Sequence, residues 1–441
     1  MRVAIVGGGL GGLAAGHALV AAGIDAHVIE ASQRAGGVVG TSRIDGFVRE
    51  HAASSFVGGP PHGAVALCDA LGVELERASP RAKRRWIYID GALRALPQGP
   101  LEFIRSDLLT WRGKLDLLRE PLRPARDRDE SVHAFAARRF GAEAARAIVA
   151  PFVTGVFAAD AHDISIEAGF PRLATLDAGG GIALGLARQA TRGVVARVAG
   201  RRSDATRRGL WAPRGGLGAM IDALAIGLGD RVRIGTPVER VEPIAGGVVV
   251  DGERWDGAVL AIPAEDATSL VATPELATRL AEFRRAPTSI VYLGFANHVA
   301  RAADGFGALV ALGEDVRVLG IVFESTVWTD RAPANHVLLR CIFGGARDPQ
   351  AATLDDGALI AQAARDAAVV VGATGTPVHA SVVRWQRGVA QYPVGHGDRV
   401  RAATASARAQ RIALAGADYY GPGVNDLCGD ARRILDEVSA W

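Results

Sequence analysis

The sequence predicts an α/β fold with α+β insertions, and three observations predict it. The first 30 residues read strand, glycine turn, helix, strand. Further extended segments near residues 256–263 and 412–415 return to that unit from the middle and the end of the chain. Between them lie a mostly helical stretch, about 98–200, and a stretch of alternating strand-like runs, 266–384. At 441 residues the chain is long enough for about three domains or interleaved subdomains. Its 49% apolar and 22% charged content excludes a disordered, collagen-like or coiled-coil protein.

The N-terminus sets two traps. Val3 to Ile24 is an apolar segment without formal charge, in principle long enough to span a bilayer, and the Met-Arg start resembles a signal peptide. Seven glycines (Gly7, Gly8, Gly9, Gly11, Gly12, Gly16 and Gly23) remove the large side chains that drive insertion, so no transmembrane helix is expected. The segment reads instead as a strand, Val3 to Val6, a glycine turn, and a helix from about Gly11 to Ala22.

This arrangement is a Rossmann-type dinucleotide fingerprint, Gly7-x-Gly9-x-x-Gly12. The first glycine permits the turn, the second lets backbone approach a pyrophosphate, and the third lets helix pack close to strand. Leu10 and Gly11 then lie at the helix start, where free N–H groups and the dipole favour anions. A second strand, Ala26 to Ile29, ends at Glu30, an acid placed to accept from both ribose hydroxyls. Ala31 follows it.

The next run, Glu30 through Arg34 to Gly36-Gly37 and Val38, then Thr41 and Gly46-Phe47, resembles the signature of the flavin-dependent amine oxidase and protoporphyrinogen oxidase superfamily. The resemblance implies FAD as cofactor in a glutathione-reductase-like domain, with Arg34 and the Gly36-Gly37 backbone along its pyrophosphate. It further implies that Ala52, Ala53, Ser54 and Ser55 line the flavin and that the Val238 backbone meets the adenine. At the chain's end, a strand from Ile412 to Ala415 leads to Ala417, a turn at Gly421-Pro422-Gly423, and a helix from about Asn425 preceded by Val424. A glycine turn before a helix suits the pyrimidine end of a flavin. Trp385 borders the flavin or fills the core.

Four segments resemble the protoporphyrinogen oxidase family more narrowly: Arg84 to Gly91 with Leu96-Pro97, Pro151 to Asp160 with Phe170-Pro171, Asp304 to Val310 with Leu319 to Phe323, and Trp385 through Tyr392 and His396 to Asp426. The resemblance implies oxidation of protoporphyrinogen IX, or of coproporphyrinogen III, to the porphyrin. Six electrons leave in three flavin-dependent steps, with oxygen as acceptor and hydrogen peroxide as product. The hydride passes directly to the flavin, so no catalytic side chain is expected, nor any metal. Arg85, with Arg84 as a neighbouring candidate, would anchor a substrate propionate, because guanidinium pairs with carboxylate bidentately. Phe306, Leu309 and Ile342 would sandwich the macrocycle, and Gly155 would let it approach the backbone. The chain departs from the family pattern at Ala52-Ala53, where Gly-Pro is common, at Ala159 and at Leu427.

The expected domains are an FAD-binding domain from residues 1–62, 210–265 and 385–441, a substrate-binding mixed sheet from 63–97 and 266–384, and a helical insertion over 98–209. The polar Arg201–Arg208 stretch reads as a loop. Residues 77–128 hold 13 basic and 6 acidic side chains, a local excess that suits a solvated face, an anionic substrate or anionic lipid. No nucleic-acid module accompanies that charge. Three scattered cysteines suggest a reducing compartment, so the expected location is cytoplasmic with peripheral contact to the membrane; a homodimer is left open. Among the 50 basic residues only Lys83 and Lys114 are lysines. An amine oxidase places a lysine near the flavin in its substrate sheet, and residues 266–384 contain none. That argues against an amine substrate, while a desaturase or a non-catalytic flavin or tetrapyrrole carrier stays as a remoter reading.

Overall fold

The computed structural model describes residues 1–59, 62–188, 191, 209–296 and 304–441. Its centre is strand Arg2–Val6, in which Val3, Ala4 and Ile5 are fully buried. This strand lies between Asp25–Ile29 and Gly257–Leu260 in a five-stranded parallel sheet, with Val232–Arg233 and Ile412–Leu414 at the edges. Burial on both faces explains the continuous apolar runs. One face packs Val3 and Ile5 against helices Leu10–Ala21, Gly218–Leu228 and Val424–Val438, through Leu13, Leu224 and Ile434. The other packs Ala4 and Leu260 against a three-stranded sheet and the helices Ala264–Leu270, Pro274–Leu280 and His396–Arg408. Start, middle and end of the chain therefore share one sheet. The strand beyond Val238 starts at Val241, because the Asp251 carboxylate accepts the Glu239 and Arg240 N–H groups.

A seven-stranded mixed sheet forms the second layer. In spatial order its strands are His379–Ala390, Arg285–Ala296, His336–Gly344, Gly320–Val322, Gly307–Val310, Trp86–Ile89 and Ala92–Ala95. One face packs Val291, Leu293, Ile321, Cys341 and Phe343 on helix Asp356–Val371. Residues 316–318 are irregular: the buried Asp366 carboxylate captures the Arg317 and Val318 N–H groups at 3.0 and 2.9 Å. Trp385 lies inside strand His379–Ala390, which pairs with Arg285–Ala296 across residue 385 without a turn, so residues 385–390 belong to the substrate sheet. Helix Ala64–Ala70 buries Ala64, Val65 and Cys68 in the FAD-domain core, so the segment from 63 starts there.

The insertion is helical over Pro100–Arg105, Trp111–Leu118, Val132–Phe140, Ala150–Phe157 and Pro171–Ala178. Thr110 and Ser131 cap two of these starts through their hydroxyls. Arg139, fully buried, pairs with the equally buried Asp177. Among the described residues no helix is long and apolar enough to cross a membrane. The loop expected at Arg201–Arg208 lies outside the described residues.

Candidate active site

The glycine turn separates three physical requirements. At Gly7, where φ is 108°, a Cβ would meet Ile262 Cγ2 at 2.6 Å and Ala261 O at 2.7 Å. At Gly12 a Cβ would stand 2.0 Å from Gly7 O, so helix Leu10–Ala21 can lie against its strand only with glycine there. At Gly9 a Cβ would meet nothing within 4 Å; the space above it is open. This helix start carries no side-chain cap and no acid in its first turn. Gly36, with φ 111°, donates to Gly8 O at 2.7 Å, and Gly37 lies against the Gly9 Cα. Two glycine loops and an uncapped helix N-terminus thus surround one opening, which fits a pyrophosphate. The turn is closed below by Glu30, whose Oε2 accepts the Gly8 N–H at 2.6 Å and whose Oε1 accepts from Ser32. Arg34 donates to the carbonyls of Ala35, Val39 and Gly37, so its guanidinium shapes the second loop. Leu10 is buried in the core, Val38 packs on it, and Ala31 is exposed beyond Glu30.

Segment Glu50–Ser55 runs from the FAD domain under the mixed sheet and is pinned by three side chains from three strands. The Tyr292 hydroxyl accepts the Glu50 N–H at 3.1 Å and donates to Glu50 O at 2.7 Å. Trp385 Nε1 donates to His51 O at 2.7 Å, and Arg340 donates to Ala52 O and to Ser54 Oγ. The register places Tyr292, Arg340 and Trp385 on one face of the sheet, the face turned to the FAD domain. Ala53 packs on the FAD-domain core and Ser55 follows, half-buried. The Glu50 carboxylate accepts from Thr41 and from Arg331, both at short range, yet burial pushes its pKa up to about 7.

That same face holds the predicted substrate groups. Across the strands, Ile342, Gly320 and Leu309 stand side by side, flanked by Ile290 and Ile87 and, on the edge strands, by Val383 and Arg94. Gly320 lies between the half-buried apolar side chains of Ile342 and Leu309, with Leu309 Cδ2 3.4 Å from where its Cβ would be. The next row runs Arg340, Val322 and Gly307, and Arg85 immediately precedes the neighbouring strand Trp86–Ile89. Between Arg85 and Ile342 the face therefore presents no acid or base. Gly155 opposes it: a Cβ there would lie 2.6 Å from Leu309 Cδ2. Phe306 does not join the row; it sits at the rim, with the Arg85 guanidinium 5.4 Å from its ring centroid. Arg85 is exposed and has no carboxylate among the described residues within 4.0 Å, whereas Arg84 is paired with Asp304 at 3.3 Å. Arg347 donates to Thr154 Oγ at 3.2 Å, one residue from Gly155, and likewise lacks a carboxylate partner among the described residues.

At the C-terminal turn, Gly416 has φ 117° and its Cα lies 3.7 Å from where a Gly11 Cβ would be, so this turn reaches the glycine fingerprint. The Tyr392 hydroxyl spans the turn, donating to Ala417 O at 2.6 Å and accepting the Gly421 N–H at 2.8 Å. The Gly423 N–H is taken by Asp426, and Pro422 has none, so Val424 and Asn425 offer the first amides of the following helix. His396 stacks on Tyr392 with ring centroids 4.0 Å apart, and burial holds its pKa down to about 4. Both residues are structural supports of the turn. Val238 is half-buried and packs on the apolar cluster that includes Val241 and Val248. The residues that sequence reasoning missed are Tyr292, Arg340 and Arg331. Tyr292 and Arg340 are lone polar residues in apolar runs, which was their only signal, whereas Arg331 sits in the polar stretch Thr329 to Asn335 and had none. Among the described residues no cluster of three or more His, Cys, Asp or Glu could hold a metal.

Residues 10–426 match the family model described as flavin containing amine oxidoreductase. Protoporphyrinogen oxidase of Bos taurus is 32% identical over 480 residues, covering 99% of this chain and 98% of its own. Coproporphyrinogen III oxidase of Propionibacterium freudenreichii is 30% identical, covering 99% of this chain and 90% of its own. A crystal structure from Exiguobacterium sp. 255-15, provisionally assigned as a protoporphyrinogen oxidase, superposes with a TM-score of 0.84 at 24% identity, over 100% of this chain and 98% of that one. The chain belongs to the flavin-containing amine oxidoreductase family, alongside protoporphyrinogen and coproporphyrinogen III oxidases, and is an FAD-dependent oxidoreductase.

Proposed function

We propose that the protein oxidises protoporphyrinogen IX to protoporphyrin IX, with oxygen as acceptor and hydrogen peroxide as product. One observation carries this reading: the sheet face turned to the FAD domain is apolar across Ile342, Gly320 and Leu309 and ends in the uncommitted Arg85. A flat macrocycle with carboxylate tails at one side needs an apolar slot and a cation at its rim. Gly7, Gly9, Leu10, Gly11, Gly12, Glu30, Ala31, Gly36, Gly37 and Val38 would hold the dinucleotide half of FAD, with Val238 towards its adenine. Ala52 to Ser55, Trp385, Ala417, Pro422, Gly423 and Val424 would surround the flavin. FAD, when bound, supplies the acceptor for a hydride leaving a meso carbon. Arg85 would hold a propionate and so set which meso carbon is presented. Leu309 and Ile342 would lie on the ring faces and exclude water, and Gly155 would let the helix backbone close on Leu309 with no side chain between them. Anaerobic addition of protoporphyrinogen should bleach the flavin spectrum. A flavin unmoved by porphyrinogens but reduced by an amine would overturn the reading.

Coproporphyrinogen III is the second reading, favoured by one observation: Arg347 adds a second cation near Gly155 that has no carboxylate within 4.0 Å among the described residues, where a four-propionate substrate would use it. Initial rates on both porphyrinogens separate the two.

The insertion supports peripheral contact with an anionic membrane. Leu101, Ile104, Trp111, Leu115, Leu118 and Leu122 are exposed, Trp111 by 66% and Leu122 by 86%, with Arg105, Arg112 and Arg119 among them. Lys114 Nζ donates to Ile104 O and Ser106 O, which ties the two helices into one surface. Sedimentation with vesicles containing phosphatidylglycerol should carry the protein down. The Leu118→Glu/Leu122→Glu double variant should stay in the supernatant, and equal sedimentation would remove this surface.

A further inference from the structure

The three pins on Glu50–Ser54 differ in one respect. Tyr292 and Trp385 are neutral, whereas Arg340 brings a positive charge that is 92% buried, being 8% exposed. Its Nη groups are spent on Ala52 O and Ser54 Oγ, and its Nε has no partner. Among the described residues the nearest carboxylate is Glu324, 3.7 Å away, and neither of its oxygens receives a hydrogen bond from them. Glu50 does not neutralise Arg340 either, because it is paired with Arg331 at 2.9 Å. A buried cation whose counter-charge, Glu324, makes no hydrogen bond to it is thus fixed beside the Ala52–Ser55 turn, whose own side chains are only methyls and hydroxyls. Low-dielectric surroundings carry such a field further than solvent would.

We propose that Arg340 is a positioning residue for the redox reaction: it holds the Ala52–Ser54 turn in place and its charge favours the reduced state of FAD bound against that turn. This rests on the reading that Ala52–Ser55 lines the flavin, but on no choice of substrate. Arg340 stands two residues from Ile342 on the same sheet face, so the strand that receives the substrate also sets the flavin's surroundings.

The test is the midpoint potential of the FAD-loaded full chain, measured by dye equilibration with no porphyrinogen present. Arg340→Gln keeps an amide donor for Ala52 O and removes the charge. It should shift the two-electron equilibrium at least tenfold towards oxidised FAD, which corresponds to about 30 mV downward. Arg340→Lys keeps the charge and should restore most of that shift. The rate of anaerobic bleaching by protoporphyrinogen should fall at least tenfold in the Gln variant while KM stays constant. A midpoint equal to the parent's overturns the proposal, as does a KM increase without a midpoint change, which would make Arg340 a substrate-binding group. Should Arg340→Gln fail to fold, Glu324→Gln takes its place: removing the counter-charge should raise the midpoint, and a fall or no change overturns the proposal. A parent protein that porphyrinogens fail to bleach refutes the substrate reading alone and leaves the midpoint comparison standing.

Discussion

Replacing Arg85 by alanine separates a substrate anchor from a surface arginine. The guanidinium lies 5.4 Å from the Phe306 ring centroid, is exposed, and pairs with no carboxylate among the described residues. Its loss therefore removes no structural ion pair, and stability should change by at most about 0.5 kcal/mol. A hydrogen bond to a charged partner is worth roughly 1.5–3 kcal/mol, and exposure at the rim reduces this to about 1–2 kcal/mol. At about 1.4 kcal/mol per tenfold, KM for the porphyrinogen should rise roughly 5- to 30-fold, with an unchanged flavin spectrum and a nearly unchanged kcat. Arg85→Lys keeps the charge but not the fork and should fall between. Arg84→Ala is the internal control, because Arg84 is held by Asp304 and should leave KM unaltered. Steady-state rates under saturating oxygen decide the matter. A parental KM in Arg85→Ala, or a larger rise in Arg84→Ala, refutes the assignment.

Two further predictions concern the cofactor turn and pH. Gly12→Ala puts a methyl 2.0 Å from a backbone oxygen, so the apoprotein should lose about 1–3 kcal/mol and FAD with it; Gly9→Ala meets nothing, so the apoprotein should unfold as the parent does while FAD binds at least tenfold more weakly. Thermal unfolding of both apoproteins with FAD titration checks this, and equal behaviour of the two variants would contradict it. Burial holds His396 at about 4, below its ordinary 6.5, so the unfolded chain takes up a proton that the folded one refuses. Its contribution is present above pH 6.5 and is lost as pH falls towards 4, by up to ~3 kcal/mol. His396→Phe should keep the stacking on Tyr392 and flatten the unfolding free energy over that range; parallel profiles would remove His396 as its source.

What could be read without coordinates were features set by local chemistry. A glycine is visible as a residue type, and Gly7, Gly9 and Gly12 occupy one local unit in which turn, approach and packing each forbid a side chain for its own steric reason. The run from Gly218 to Leu228 has helical spacing, and the helix has those bounds. The lysine shortage also carried weight: Lys114 serves helix carbonyls and Lys83 lies in the exposed turn Pro80–Lys83, neither on the substrate face. Resemblance supplied the flavin and the porphyrinogen, which no spacing alone specifies. Pairing between distant strands stayed hidden, because register depends on partners hundreds of residues away. The sequence by itself determined the dinucleotide-binding unit, the interwoven domains in outline, and Arg85 as a candidate anchor. Only the tertiary structure decided that Leu309, Gly320 and Ile342 form one row, that Phe306 stands at the rim, and that Tyr292, Trp385 and Arg340 converge on Glu50–Ser54. The reason is geometric: a strand alternates its side chains between two faces, so which face meets the cofactor domain is fixed by sheet packing rather than by any local pattern.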